Sequence, residues 1–173
     1  MAELAYQDRL QPALLDRLTD NDPDNTQPEP REVRVMTRSR LREAVLRDVT
    51  WLLNATRLSA REPLEGLDYV QRSVLNFGLP ALSGQLASKL DIIALEERIR
   101  DALQSYEPRI LASTLAVQAI VSENELDRHN VVSIEIRGTL WAHPVPLELL
   151  LRTDVDLESG EVKIHDLGAA GAR

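Results

Sequence analysis

Tyr106-Glu107-Pro108-Arg109-Ile110 is the stretch on which the fold turns. Before it, apolar residues recur with the period of a helix; after it, they alternate with the period of a strand. Glu107 precedes a proline, whose ring clashes with the preceding residue and pushes it out of the helical region. Pro108 has no N–H, so it neither continues the helix nor donates to a sheet. Glu107 and Arg109 are thereby held as opposite charges around a stiff corner between a helical half and a β half.

Working back from the corner, Ile92, Leu95, Ile99, Ala102, Leu103 and Tyr106 line one face of a helix, with Ser88 and Asp91 as its N-terminal cap. Asp68 and Gln71 have the spacing of a capping box opening a short helix through Val70, Val74 and Phe77. Gly78 at its C′ position and Pro80 would close it. Earlier still, Thr37 or Ser39 caps a helix with apolar positions Leu41, Val45, Leu46, Val49, Leu52 and Leu53, Trp51 lying at the edge of the stripe. The folded body is expected to begin near Val33. Thr19–Glu32 is polar, acidic and proline-rich, the composition of a linker. It tethers a short amphipathic helix within residues 4–18, expected to start near Leu10 or Gln11 with Pro12 in its first turn. Leu14, Leu15 and Leu18 of this arm cannot form a core alone, which makes them candidate anchors on a partner.

Working forward, alternation over Leu111–Val121 predicts a first strand, Val132–Arg137 a second with Gly138 as a bulge or end, and Leu147–Arg152 a third. Glu158-Ser159-Gly160-Glu161 reads as a hairpin turn into Val162–Ile164. The expected class is therefore α+β: an N-terminal helical half packed on a small, mostly antiparallel β-meander, with a flexible N-terminal helical arm. The expected division is 1–32 for arm and linker, 33–167 for the body and 168–173 for a loose tail. So small a sheet is expected to leave at least one edge open to a strand from another chain.

Composition narrows the function classes. The chain of 173 residues is 43% hydrophobic and 28% charged, as in a soluble globular protein. With no cysteine it has neither disulfides nor thiolate chemistry, which suits a reducing cytoplasm. No signal peptide or membrane-length apolar run is visible, so direct membrane insertion is not expected. The net charge of −8 is uneven: residues 1–30 hold seven acidic and two basic side chains, residues 31–61 eight arginines and three acids. A nucleic-acid adaptor would use Arg31, Arg34, Arg38, Arg40, Arg42 and Arg47, but no aromatics interleave them as base stacking would need. These arginines are better matched to acidic partners or to the acidic linker.

Five stretches in register carry a family resemblance: Leu10–Asp20; Val45-Leu46-Arg47-Asp48 with Leu52-Leu53-Asn54; Ser73–Pro80; the Tyr-Glu-Pro-Arg-Ile corner; and Leu149–Gly160. In this order and spacing they resemble TssE, the baseplate subunit family of bacterial type VI secretion systems, which belongs with the baseplate wedge proteins of contractile phages, once labelled lysozyme-like. Each motif alone is weak; together they span nearly the whole chain. The resemblance implies a non-enzymatic cytoplasmic subunit that joins TssF, TssG and TssK in the wedge and starts assembly of the contractile TssB/TssC sheath. It implies a sheet like the sheath subunit's own, to which sheath strands can add. The family's Glu-Pro-Arg motif falls on Glu107, Pro108 and Arg109 without departure, making them candidate partner-binding residues. Tyr106 stands where many relatives have Phe, a change expected to matter little.

The rival reading is a peptidoglycan-cleaving glycosidase, which needs two carboxylates about 5–10 Å apart across a cleft. Glu107 with Glu123 or Glu125 could be proposed, but nothing marks the pair out, and aromatics for a sugar cleft are scarce at 3%. His129, His143 and His165 match no metal-ligand spacing, and no phosphate loop or serine elbow occurs, so neither cofactor nor metal is expected.

Overall fold

The computed structural model describes residues 12–20, 23–24, 36–82, 91–120, 131–142 and 145–168. Helices α1 (Leu14–Leu18), α2 (Arg38–Asn54), α3 (Asp68–Gln71) and α4 (Ile92–Tyr106) precede strands β1 (Ala116–Ile120), β2 (Val131–Leu140), β3 (Leu147–Asp156) and β4 (Val162–Asp166). The strands form one antiparallel meander in the order β1-β2-β3-β4. The class is α+β, as the change of period at the corner requires.

Helix α2 starts where Thr37 accepts from the Arg40 N–H, and buries Leu41, Ala44, Val45, Val49, Leu52 and Leu53. Helix α4 starts where Asp91 accepts from the Ala94 N–H at 3.0 Å, and buries Leu95, Ile99, Ala102 and Leu103. Ser88 lies outside the described residues. Both helices lie against the sheet face that presents Val117, Ile134, Ile136, Leu149, Leu151, Val155 and Val162, and these residues share one core. Leu103, Ile136 and Leu151 are fully buried, so truncating any of them to alanine costs about 2–5 kcal/mol in lost transfer and cavity energy.

The segment between α2 and α4 departs from expectation. The capping box does not form: Leu67 occupies the N-cap without a side-chain bond, and the Gln71 amide instead donates to the Leu64 carbonyl at 2.6 Å. Helix α3 is one turn long, followed by a 3-10 turn at Val74–Asn76. Gly78 is needed for a close approach rather than for a helix stop. Its φ is +117°, a Cβ there would meet the Ala55 carbonyl oxygen at 2.3 Å, and the Leu79 N–H donates to that same oxygen.

The first strand is shorter than alternation predicts. Ala112–Thr114 form a 3-10 turn, and regular pairing begins at Ala116. The chain still tracks β2 before that turn: Leu111 N–H donates to the Thr139 carbonyl, and Trp141 N–H to the Arg109 carbonyl at 2.7 Å. Strand β2 runs unbroken through Gly138, where an added Cβ would stand 3.1 Å from Ile110 Cγ2. Strand β3 extends to Asp156, four residues beyond the predicted end at Arg152.

At the described positions each outer strand is covered in part by helix side chains. Strand β1 is flanked by α4: Glu96 accepts from the Ala119 N–H at 2.6 Å, and Arg100 donates to the Val117 carbonyl at 3.4 Å. Strand β4 is flanked by α2, where the Asn54 amide both accepts from the Val162 N–H and donates to its carbonyl, each at 2.9 Å. Arg42 closes the same side, donating to Asp166 and to the Glu148 carbonyl. Side chains thus occupy some of the outward backbone groups, at Val117, Ala119 and Val162, that would otherwise template another strand.

Candidate functional site at the helix–strand corner

Helix α4 ends at Tyr106, and Glu107 is its C-cap, with φ −122° and ψ 75°, outside the helical region that the following proline disfavours. The Glu107 N–H still donates to the Leu103 carbonyl, so the helix carries the residue to its last turn before Pro108 redirects the chain. Only 3% of Glu107 is exposed. A buried carboxylate needs partners. Arg109 supplies them: its backbone N–H and its Nε donate to Oε1, at 3.2 and 2.6 Å, and its Nη2 donates to Oε2.

The same Nη2 reaches Asp48 Oδ2 on α2 at 2.6 Å, so the corner is bolted to the helix that packs beside it. Burial works against the Arg109 charge, but hydrogen bonds and charge attraction from Glu107, then Asp48, more than offset it, and the guanidinium pKa is raised. Arg109 Nη1 is buried with no acceptor. Pro108 is exposed and Arg109 half-buried, so the outer surface of the corner is made by these two and not by Glu107.

The network continues to the arm. Arg47 Nε donates to Asp48 Oδ1 at 2.8 Å, and its Nη1 to Asp16 Oδ1 at 2.6 Å. Arg47 Nη2 also stands 2.8 Å from Asp48 Oδ1, close enough for charge attraction without the alignment of a hydrogen bond. Its guanidinium lies over the Trp51 ring at 5.2 Å from the centroid, a cation–π contact. A chain of alternating charges, Asp16–Arg47–Asp48–Arg109–Glu107, thus links α1 to the corner. Helix α1 touches the body through Asp16, while Leu14, Leu15 and Leu18 remain exposed. Its start falls at Leu14, with Ala13 as N-cap; the expected start near Leu10 or Gln11 lies outside the described residues.

Tyr106 contributes more than its place in the motif suggested. Its one hydroxyl hydrogen is shared between the carbonyls of Ser73, at 3.1 Å, and Asn76, at 2.9 Å, and its ring meets Phe77 edge-on at 5.3 Å. A phenylalanine would keep the ring contact and lose both hydrogen bonds. Sequence spacing also missed Asp48, because the fold alone brings it beside residues some sixty positions later.

Of the arginines offered for phosphate, Arg42 pairs with Asp166 and Arg47 with Asp16 and Asp48; Arg38 and Arg40 are exposed, and Arg31 and Arg34 lie outside the described residues. Both Glu107 oxygens accept from Arg109 and face the protein interior, so this carboxylate is not presented to a cleft. Glu123, Glu125, His129 and His143 lie outside the described residues. His165 Nε2 is 3.4 Å from Asp154, whose other oxygen accepts from the Ser133 hydroxyl, so Ser133 is not poised on the imidazole as a nucleophile would be. No described group of three or more acidic or histidine side chains could hold a metal, and no described helix is long and apolar enough to cross a membrane.

No curated protein and no solved structure matches the chain significantly. The family profile described as baseplate wedge protein gp25 matches residues 39–145. That span runs from the first turn of α2 through the corner and β2, and leaves α1 and the Leu149–Gly160 stretch outside it. By this match over more than half its length, the chain belongs to the family of baseplate wedge protein gp25.

Proposed function

We propose that this chain is a non-enzymatic structural subunit of a type VI secretion baseplate, the TssE position in the wedge. There it joins TssF, TssG and TssK and starts TssB/TssC sheath assembly on the cytoplasmic side of a membrane-docked complex. The observation that carries the reading is family membership over residues 39–145. In this proposal residues 1–32 form a docking arm and linker, 33–167 the wedge body and 168–173 a tail.

Two surfaces are assigned to partners. One is the corner, where Pro108 and the outer edge of Arg109 make the contact and Glu107 acts from inside by fixing the guanidinium. The other is the leucine face of α1: the Asp16–Arg47 pair tethers the helix to the body and leaves Leu14, Leu15 and Leu18 exposed to an apolar groove. A sheath strand joining β4 would take over the Val162 groups now held by Asn54.

The test is co-purification of the full chain with TssF, TssG and TssK, and sheath assembly in cells, for three proteins: wild type, a Leu14→Asp/Leu18→Asp double variant and Pro108→Ala. The double variant should melt like wild type, since those leucines are exposed, and Pro108→Ala should lose no more than about 1 kcal/mol through the added freedom of the unfolded chain. The double variant should lose wedge co-purification, and Pro108→Ala should impair assembly. Wild-type binding by both variants would overturn the assignment of these surfaces; no wild-type co-purification with any wedge protein would overturn the baseplate assignment itself.

A further inference from the structure

Residues 67–75 form a third surface, joined to the corner through Tyr106. The segment is two stacked turns tied internally: Ser73 N–H and hydroxyl both bond the Val70 carbonyl, and the Asn76 amide donates to the Gln71 carbonyl. It is bolted down by Tyr106 on Ser73 and Asn76, and by the Ser59 N–H on Asn76 Oδ1. Such anchoring normally serves to bury side chains. Here it presents them: Tyr69 is 95% exposed and Val74 79%, with Leu67 and Leu75 also exposed. Four large apolar side chains on so short and rigid a segment are what an interaction surface needs, because little ordering entropy remains to oppose binding.

Arg57 supplies the polar half. Its backbone is fixed beside this segment, with its N–H on the Leu79 carbonyl. Its side chain is half-buried, its Nε is buried without an acceptor, and no carboxylate among the described residues pairs with it. The position of the charge shows in Tyr106: burial raises the phenol pKa, and nearby Arg57 opposes the rise. Arg42, Arg47 and Arg109 each have an internal carboxylate. Among the described residues Arg57 has none, and its side chain is only half-buried, so the charge is left for a carboxylate from outside.

We propose that Leu67, Tyr69, Val74 and Leu75, with Arg57 beside them, form a docking surface for an apolar segment of another protein that carries an aspartate or glutamate to pair with Arg57. Tyr69 and the aliphatic side chains supply buried area. Arg57 fixes register and rejects segments without the carboxylate.

Photo-crosslinking of the full chain in its producing cell tests this, with benzoylphenylalanine in place of Tyr69 and the adduct mapped by mass spectrometry. The expected adduct lies on another protein, in a segment with apolar side chains and an Asp or Glu within two helical turns. Its yield should fall at least about tenfold in Arg57→Glu, as loss of a desolvated charge pair implies, and return when the partner's acid is changed to Lys. Val74→Ser with Leu75→Ser should lower the yield with Arg57 intact, so the proposal stays testable if Arg57→Glu melts early. It is overturned by an adduct confined to this chain's own residues 20–32, by one on a segment lacking a carboxylate, by no adduct, or by a yield indifferent to both variants. The identity of the crosslinked protein bears separately on the baseplate assignment.

Discussion

Arg109 holds both carboxylate oxygens of Glu107, two residues before it, and with the same Nη2 reaches Asp48 on a different helix. The motif's two charges are therefore a structural clasp first, with only Arg109 and Pro108 reaching the surface. Removing one member leaves the other buried and unpaired. Glu107→Ala and Arg109→Ala should each lower stability by about 3 kcal/mol, measured by urea denaturation. Charge reversal at Glu107 should do worse. A melt unchanged by either alanine would mean that the clasp contributes nothing and that Glu107 turns outward in solution.

Asn54 guards strand β4 through two hydrogen bonds to Val162. Asn54→Ala should cost about 1–2 kcal/mol, because two backbone groups lose partners at a partly solvated site. It should also raise self-association, seen by light scattering, since the edge is then free to template another strand. Asn54→Asp keeps the acceptor for the Val162 N–H and loses the donor, and should fall between.

Gly78 has φ +117° with the Ala55 carbonyl in the space a Cβ would take. Gly78→Ala should destabilise by about 3 kcal/mol through backbone strain and displacement of the Ala55–Leu79 contact. Gly66, also at positive φ but with open space around it, should tolerate alanine at about 1 kcal/mol. Equal costs at the two sites would refute the close-approach account.

Asp156 accepts from the Glu158 and Ser159 N–H groups in the β3–β4 turn, and these bonds lower its pKa. A carboxylate with a depressed folded pKa stabilises above its unfolded value, about 3.9, and loses that contribution as pH falls through the folded one. Wild type should therefore melt higher than Asp156→Asn at neutral pH, with the gap closing only below pH ~4. A gap that persists undiminished into strong acid would assign the effect to something other than this charge.

The amphipathic faces of α2 and α4 were legible because burial on one side leaves a period in the chain. The end of α4 was legible because Pro108 removes a donor wherever it stands. Strand alternation gave the meander but misjudged its ends: Ala112–Thr114 alternate like a strand yet form a 3-10 turn, and Gly138 looks like a break yet sits mid-strand against Ile110. Periodicity records which side is buried, not which backbone groups find partners.

The sequence by itself determined that a helical half meets a β half at Tyr106–Ile110, and that two charges flank a proline there. Tertiary structure decided what those charges do. Asp48 is far away along the chain, and only the packing of α2 beside the corner brings it to Arg109 and closes the clasp. The partial cover of the sheet edges was decided in the same way. Asn54 and Glu96 read as solvent-facing helix residues until the helices they stand on are laid along strands β4 and β1, where their side chains meet backbone groups that local sequence leaves unpaired.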